Sequence, residues 1–321
     1  MVAMSEPQQP KTSVRTLSVD EDVAGQRIDN FLIRQLKGVP KSFVYRILRR
    51  GEVRVNKGRI KAGYRLQPGD MVRIPPVRLS DRPKSSPGQW ITKRLDGAAL
   101  YEDGRFLVLN KPSGLAVHGG SGLSHGVIEA LREMRTEDRH LELVHRLDRD
   151  TSGCLLIARK RSALRILHEL LRTRQVQKRY LALLAGSWPR DSLEVNEPLA
   201  KNRLQSGERM VRVDSRGKQA QTRFRVLRRY RDAMLVEARL MTGRTHQIRV
   251  HAAHLGTPIL GDDKYGDDLL NRRMREKGLR RLFLHAASLS FRWPEEEGDI
   301  TVKAPLDPDL DTLLERLSLE S

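Results

Sequence analysis

The sequence predicts an α+β protein: a small N-terminal α/β unit, then a larger domain on a mostly antiparallel, mixed sheet. Three observations predict it. Residues 15–78 carry two helix-spaced apolar runs followed by two short strand-like ones, a compact unit. Residues 79–89 (LSDRPKSSPGQ) combine Pro, Ser, Gly and charge, the composition of a linker. From residue 90 to 321, strand patterns outnumber helical ones without the regular alternation of a βαβ chain. A chain of 321 residues suits two such parts.

Taken in order, residues 1–14 read as a flexible tail without an apolar leader pattern. Ile28, Phe31, Leu32 and Leu36 lie at helical spacing, and Gly38–Pro40 breaks it. Phe43, Val44, Ile47 and Leu48 repeat the spacing up to Gly51. VRVNKG follows as a short strand, with a turn at Asn56-Lys57-Gly58. Met71–Ile74 is the next strand, after the turn residues around Pro68 and Gly69. In the larger part, FLVLNK, CLLIARK, RYLALLAG, QTRFRVLRRY, AMLVEARLMTG and ASLSFRW are strands rich in branched or aromatic side chains. Helical patterns occur near Gly126–Arg135 and Ser162–Arg172.

Charge narrows the function classes. There are 60 Lys and Arg against 40 Asp and Glu, a formal charge of +20, which a polyanion would relieve. RNA, DNA and an anionic membrane all satisfy that requirement. No segment approaches the roughly 20 apolar residues of a membrane span, so a cytoplasmic protein without a membrane partner is expected. Cys154 is the only cysteine, which excludes an intramolecular disulfide and any multi-cysteine metal cluster.

The charge is also uneven. Within residues 41–61, Lys41, Arg46, Arg49, Arg50, Arg54, Lys57, Arg59 and Lys61 face one acid, Glu52. A solvated helix face has such a composition. Continuation of the basic run from the helix into the following turn better suits a surface that tracks phosphates.

Two constellations in the larger domain carry polar chemistry. His145-Arg146-Leu147-Asp148-Arg149-Asp150 precedes a buried-type strand, where flanking arginines can hold a carboxylate ionised. Residue types alone favour a surface salt-bridge cluster there. Gly243-Arg244-Thr245-His246-Gln247-Ile248-Arg249 follows another strand as a glycine turn and a polar stretch. His246, His251 and His254 do not match H-E-x-x-H, so hydrogen bonding is expected of them and metal binding is not. The P-loop, dinucleotide and G-x-S-x-G patterns are absent. Gly119-Gly120-Ser121-Gly122 is a plausible ligand-adjacent loop that matches none of them, so no nucleotide cofactor is expected.

HRLDRDTSG resembles the catalytic block of the RluA-type ribosomal pseudouridine synthases, and GRTHQIRVH with LGTPILGD resembles a later block. KPSGLAVH at 111–118 and QKRYLALLAG at 177–186 fit the same family in the same order. RIDNFL and RGEVRVNKG resemble the S4 RNA-binding domain often fused to these enzymes. Together the similarity spans about residues 20–310.

The resemblance implies a pseudouridine synthase catalytic domain behind an S4-like RNA-binding domain. It also implies isomerisation of specific uridines in large-subunit (23S) ribosomal RNA, free or partly assembled, by a monomer. Asp148 matches the catalytic aspartate, Tyr180 the tyrosine that packs on the target base, and Arg249 the basic partner of that aspartate. Arg146 matches the arginine that enters the RNA stack, and Leu284 an aliphatic residue of the base pocket. The reaction breaks N1–C1′, turns the uracil and forms C5–C1′. Nothing is oxidised or consumed, so neither cofactor nor metal is implied. A non-catalytic RNA-binding or ribosome-assembly protein is the competing class, and the joint presence of Asp148, Tyr180 and Arg249 argues against it.

Overall fold

The structure is a computed structural model that describes residues 13–36, 39, 41–77, 89–119, 125–203 and 209–320. Most of the expected tail, residues 79–88 of the expected linker, and positions 120–122 of the glycine loop lie outside the described residues. The chain forms two compact units, residues 1–85 and 86–321.

The first unit contains strand β1 (Arg15–Ser18), helices α1 (Ile28–Gln35) and α2 (Lys41–Arg49), and strands β2 (Arg54–Val55), β3 (Gly58–Arg59) and β4 (Met71–Ile74). Its sheet runs β1-β4-β2-β3. The helix-spaced residues Ile28, Leu32, Val44 and Ile47 are buried with Val53, Leu66, Val72 and Ile74 in one core. A two-residue loop joins β2 to β3, with Asn56 and Lys57 at φ 49° and 67°. These left-handed values suit the right-handed twist of the hairpin. β1, for which no pattern was evident, pairs antiparallel with β4.

The second unit opens with α3 (Gln89–Leu95), β5 (Ala99–Glu102), β6 (Phe106–Lys111), α4 (Val127–Met134), β7 (Glu142–Leu143) and β8 (Ser152–Ala158). Then come α5 (Arg161–Arg172), β9 (Gln177–Ala185), β10 (Ser192–Val195), β11 (Leu199–Arg203), β12 (Arg209–Val213), β13 (Thr222–Arg229) and β14 (Ala233–Leu240). Helices α6 (Gln247–His254) and α7 (Asp268–Glu276), strands β15 (Leu284–Arg292) and β16 (Asp299–Lys303), and helix α8 (Pro308–Leu319) complete it. The main sheet runs β10-β13-β14-β9-β15-β8-β6-β5, with β16 on β15 and β7 on β8. Among the described residues, only β15 and β8 pair in parallel, so the sheet is mixed and mostly antiparallel.

Every residue of β8 is buried, which explains its unbroken apolar reading: a strand covered on both faces has no polar side to alternate. Gly153 near its start adopts φ +102°, and a Cβ there would lie 2.3 Å from the Ala286 carbonyl oxygen of β15. Only glycine permits that approach, which brings the segment before β8 to the middle of the sheet. The ribbon β11–β12 packs on α6 through Leu199, Val211, Ala220 and Val250. Among the described residues, no helix is long and apolar enough to cross a membrane.

The polar stretch that follows Gly243 runs into the largely buried helix α6, which the sequence did not announce. The apolar periodicity that marks a surface helix is missing because Gln247, Arg249 and His251 are buried beside Ile248 and Ala252. Each polar side chain is bonded. Gln247 reaches the Gln221 carbonyl and the Thr222 hydroxyl, and His251 meets Thr222 and the Glu197 carbonyl.

Candidate active site

The segment 145–151 is held from behind. His145 Nε2 accepts the Leu156 N–H of β8 at 3.1 Å, which makes this ring neutral with its proton on Nδ1. Burial and the nearby Lys178 amine push its pKa down to about 3. From the other side, Lys111 Nζ donates to the carbonyls of Pro112, Leu115 and Arg149 at 2.8–2.9 Å. Gly114 N–H also donates to the Arg149 carbonyl, and Ser113 Oγ to that of Asp150. The KPSGLAVH segment thus works as a clamp on the loop that carries Asp148.

Asp148 projects from this loop with 17% of its side chain exposed. Arg249 Nη1 lies 3.6 Å from Oδ2, and His246 Nε2 lies 3.8 Å from Oδ1. Both distances exceed a hydrogen bond. Arg249 is bonded elsewhere: its Nε and Nη2 each donate to Asp262 at 2.7 Å in a bidentate fork. The expected pairing of Arg249 with Asp148 is therefore secondary, and the main partner is Asp262.

Asp262 is fully buried and also accepts the N–H groups of Lys264 and Tyr265. Burial alone would raise its pKa, but the Arg249 fork and those N–H donors hold it below the usual carboxylate range. Gly261 before it takes φ +78°, and a Cβ there would fall 2.0 Å from the Arg281 carbonyl oxygen. The LGTPILGD motif carries this acid, whose role as the main partner of Arg249 only the fold reveals. The signal is an acid, Asp262, directly after the apolar run that ends at Gly261, where burial requires a cationic partner.

His246 caps α6 in a left-handed conformation, φ 54°, and its Nδ1 bonds the Tyr265 hydroxyl at 2.7 Å. That hydroxyl also accepts the Val211 N–H of the ribbon. Burial lowers the His246 pKa, with Asp148 acting in the opposite sense. Tyr265 lies beneath the Arg249 guanidinium, 5.0 Å from ring centre to Cζ. Among the described residues, no group of three or more His, Cys, Asp or Glu is placed to hold a metal ion.

A cavity of about 460 Å³ opens at this point, within the roughly 300–1,000 Å³ of small-molecule sites. Asp148, Tyr180, Arg249, Arg146 and Leu284 all line it, so the five residues singled out in this domain converge. Strand register explains part of the convergence. Leu284 of β15 stands opposite Ala182 of β9, which shares a face with Tyr180 two residues earlier. Tyr180 is buried, and burial, with Asp148 and Cys154 nearby, raises its phenol above the usual value and keeps it protonated. Arg146 is exposed and also lines a larger adjoining groove of about 1,410 Å³.

Of the basic residues of the first unit, Arg46, Arg49, Arg50, Arg54, Lys57, Arg59 and Lys61 are exposed, and Lys41 opens α2. Arg46 stacks over Phe43, and Arg50 is 3.8 Å from Glu52.

Residues 105–254 match the family model described as RNA pseudouridylate synthase, and residues 26–72 match the S4 domain. The chain is 57% identical over 304 residues to the ribosomal large subunit pseudouridine synthase C of Pasteurella multocida (strain Pm70), covering 94% of this chain and 93% of that one. It is also 57% identical over 309 residues to the protein of that name in Escherichia coli (strain K12), covering 95% and 97%. Among solved structures, human RNA Pseudouridylate Synthase Domain Containing 4 aligns with a TM-score of 0.59 at 29% identity, over 72% of this chain and 97% of that one. With a match of this extent on both units, the chain belongs to the RluA-type RNA pseudouridine synthases that carry an N-terminal S4 domain.

Proposed function

We propose that the enzyme converts specific uridines of large-subunit (23S) ribosomal RNA into pseudouridine in the cytoplasm, with Asp148 as the reacting carboxylate. The observation that carries this reading is the division of labour around Arg249. Asp262 takes its hydrogen bonds, and its charge still reaches Asp148 across 3.6 Å. Asp148 is thereby left with free oxygen lone pairs facing the cavity, which a carboxylate needs in order to attack or to take a proton.

The target uridine must leave the RNA stack, at a cost of a few kcal/mol. Arg146, exposed at the cavity mouth, is placed to fill the vacated space. Tyr180 and Leu284 give the flipped uracil a flat and an aliphatic wall. The N1–C1′ bond then breaks with its electron pair leaving on uracil. C1′ is taken up by an Asp148 oxygen, or by a C1′=C2′ double bond when Asp148 removes the 2′ proton. The uracil turns and C5 bonds to C1′ as the Asp148–C1′ bond breaks, or as C2′ takes its proton back from Asp148; the C5 proton departs and N1 gains a proton. Starting atoms and final atoms are the same, so no redox partner is required.

The exposed basic surface of the S4 domain supports recruitment of free or partly assembled rRNA through its phosphates, by a monomer. The names of the similar bacterial enzymes point to the large subunit. The test is to map pseudouridines in both ribosomal subunits from a strain lacking the gene and from the complemented strain. Pseudouridines restored in 23S rRNA are expected. Restoration only in small-subunit rRNA or transfer RNA would refute this substrate.

A further inference from the structure

We propose that Lys178 is a further catalytic residue, whose ammonium meets O2 or O4 of the departing uracil and stabilises its negative charge. This rests on the proposed function, because it takes the 460 Å³ cavity as the seat of the flipped uridine.

On β9, Lys178 and Tyr180 are two residues apart and share a face, and both line the cavity with Asp148, Arg249 and Leu284. Lys178 Nζ lies beside Gly243 of the cavity wall, 3.6 Å from where a Cβ on that glycine would sit. Lys178 is half-buried, and burial lowers its pKa with no carboxylate acting against the shift. A desolvated ammonium without a counter-ion is unfavourable unless the bound state brings negative charge to it.

The other cations of the wall are committed or exposed. Arg249 is bonded to Asp262, Arg172 to Glu169, and Arg244 to the Gln219 carbonyl. Arg146 stands at the exposed mouth, and His145 is neutral. Among the described residues, Lys178 is therefore the half-buried cation of the cavity without a fixed anionic partner.

The chemistry supplies that anion. As N1–C1′ breaks, the electron pair spreads over N1, O2 and O4, and a preorganised cation beside either oxygen stabilises the transition state more than the neutral base. Lys178 neither gives nor takes a proton in this step, so the atom balance is unchanged.

The test compares the full-length protein and Lys178→Met on two RNAs, one with uridine and one with 5-fluorouridine at the target. Fluorine stabilises the departing anion, so the second substrate depends less on an external cation. Under single turnover, loss of the N-glycosidic nucleoside is expected to slow roughly 100-fold for uridine, and about 10-fold or less for 5-fluorouridine. Lys178→Arg, which keeps the charge, is expected to recover part of the uridine rate. If Lys178→Met fails to fold by thermal unfolding, Lys178→Gln takes its place. Equal losses on both substrates, or no loss, overturn the proposal. A wild-type protein that leaves the uridine RNA unchanged overturns the proposed function itself, and this inference with it.

Discussion

Arg249 donates two 2.7 Å hydrogen bonds to Asp262 yet remains 3.6 Å from Asp148. One guanidinium therefore serves two carboxylates in different ways, as a bonded partner to the buried one and as a nearby charge to the one facing the cavity. Asp262→Asn is expected to destabilise the fold by about 3 kcal/mol, because it removes the hydrogen-bonded counter-charge of a buried cation. It should also slow single-turnover isomerisation at least ~10-fold as Arg249 turns toward Asp148. Denaturant titration and a rate measurement check both effects, and an unchanged midpoint together with an unchanged rate would contradict the arrangement.

Lys111→Met tests the clamp behind the loop. The substitution preserves volume but removes the donor from the Pro112 and Leu115 carbonyls, at about 1–3 kcal/mol each, and leaves that of Arg149 with the Gly114 N–H alone. A stability loss of roughly 2–5 kcal/mol is expected, together with faster proteolysis or hydrogen exchange at residues 145–151. Wild-type exchange in that loop would show that Lys111 does not hold it.

The pH dependence of stability carries a signature of His145. Its folded pKa, about 3, lies below the ordinary value near 6.5. Between those values the unfolded chain binds a proton that the folded chain does not, so this contribution is present above pH 6.5 and falls as the pH drops toward 3. His145→Gln keeps an acceptor for the Leu156 N–H and cannot titrate. Denaturant midpoints at pH 7 and pH 5 should differ less for this variant than for the wild type, and equal differences would contradict the assignment.

Arg49, Arg50 and Lys57 are exposed on the S4 domain, on α2, just after it and in the β2–β3 turn. Replacing all three with Gln is expected to weaken binding to an rRNA fragment and to reduce the slope of log K against log salt by roughly two to three. A parallel salt titration would show that these residues do not meet phosphate.

Several of these features were legible in the sequence, for identifiable reasons. The first helices and Met71–Ile74 announced themselves because one face of each is buried, giving clear periodicity at Ile28, Phe31, Leu32 and Leu36. Asp148, Tyr180, Arg249, Arg146 and Leu284 emerged from motif resemblance, and their convergence on one cavity depends on pairings between strands distant in sequence. Helix α6 escaped because its buried residues are polar and bonded to one another's neighbours, which removes the apolar stripe. Asp262, Lys111 and Lys178 escaped for a related reason. Each is significant through partners, or their absence, that only the fold brings within reach.

In the proposed reaction Asp148 performs the chemistry while Arg249 and Asp262 position charge around it. Asp148→Asn keeps shape and removes the carboxylate. The direct measurement is pseudouridine formation by this variant in purified 23S rRNA, alongside its affinity for the same RNA. A fall of at least roughly 1,000-fold in the single-turnover rate, with affinity retained, is the expected result. Isomerisation at the wild-type rate would contradict the account.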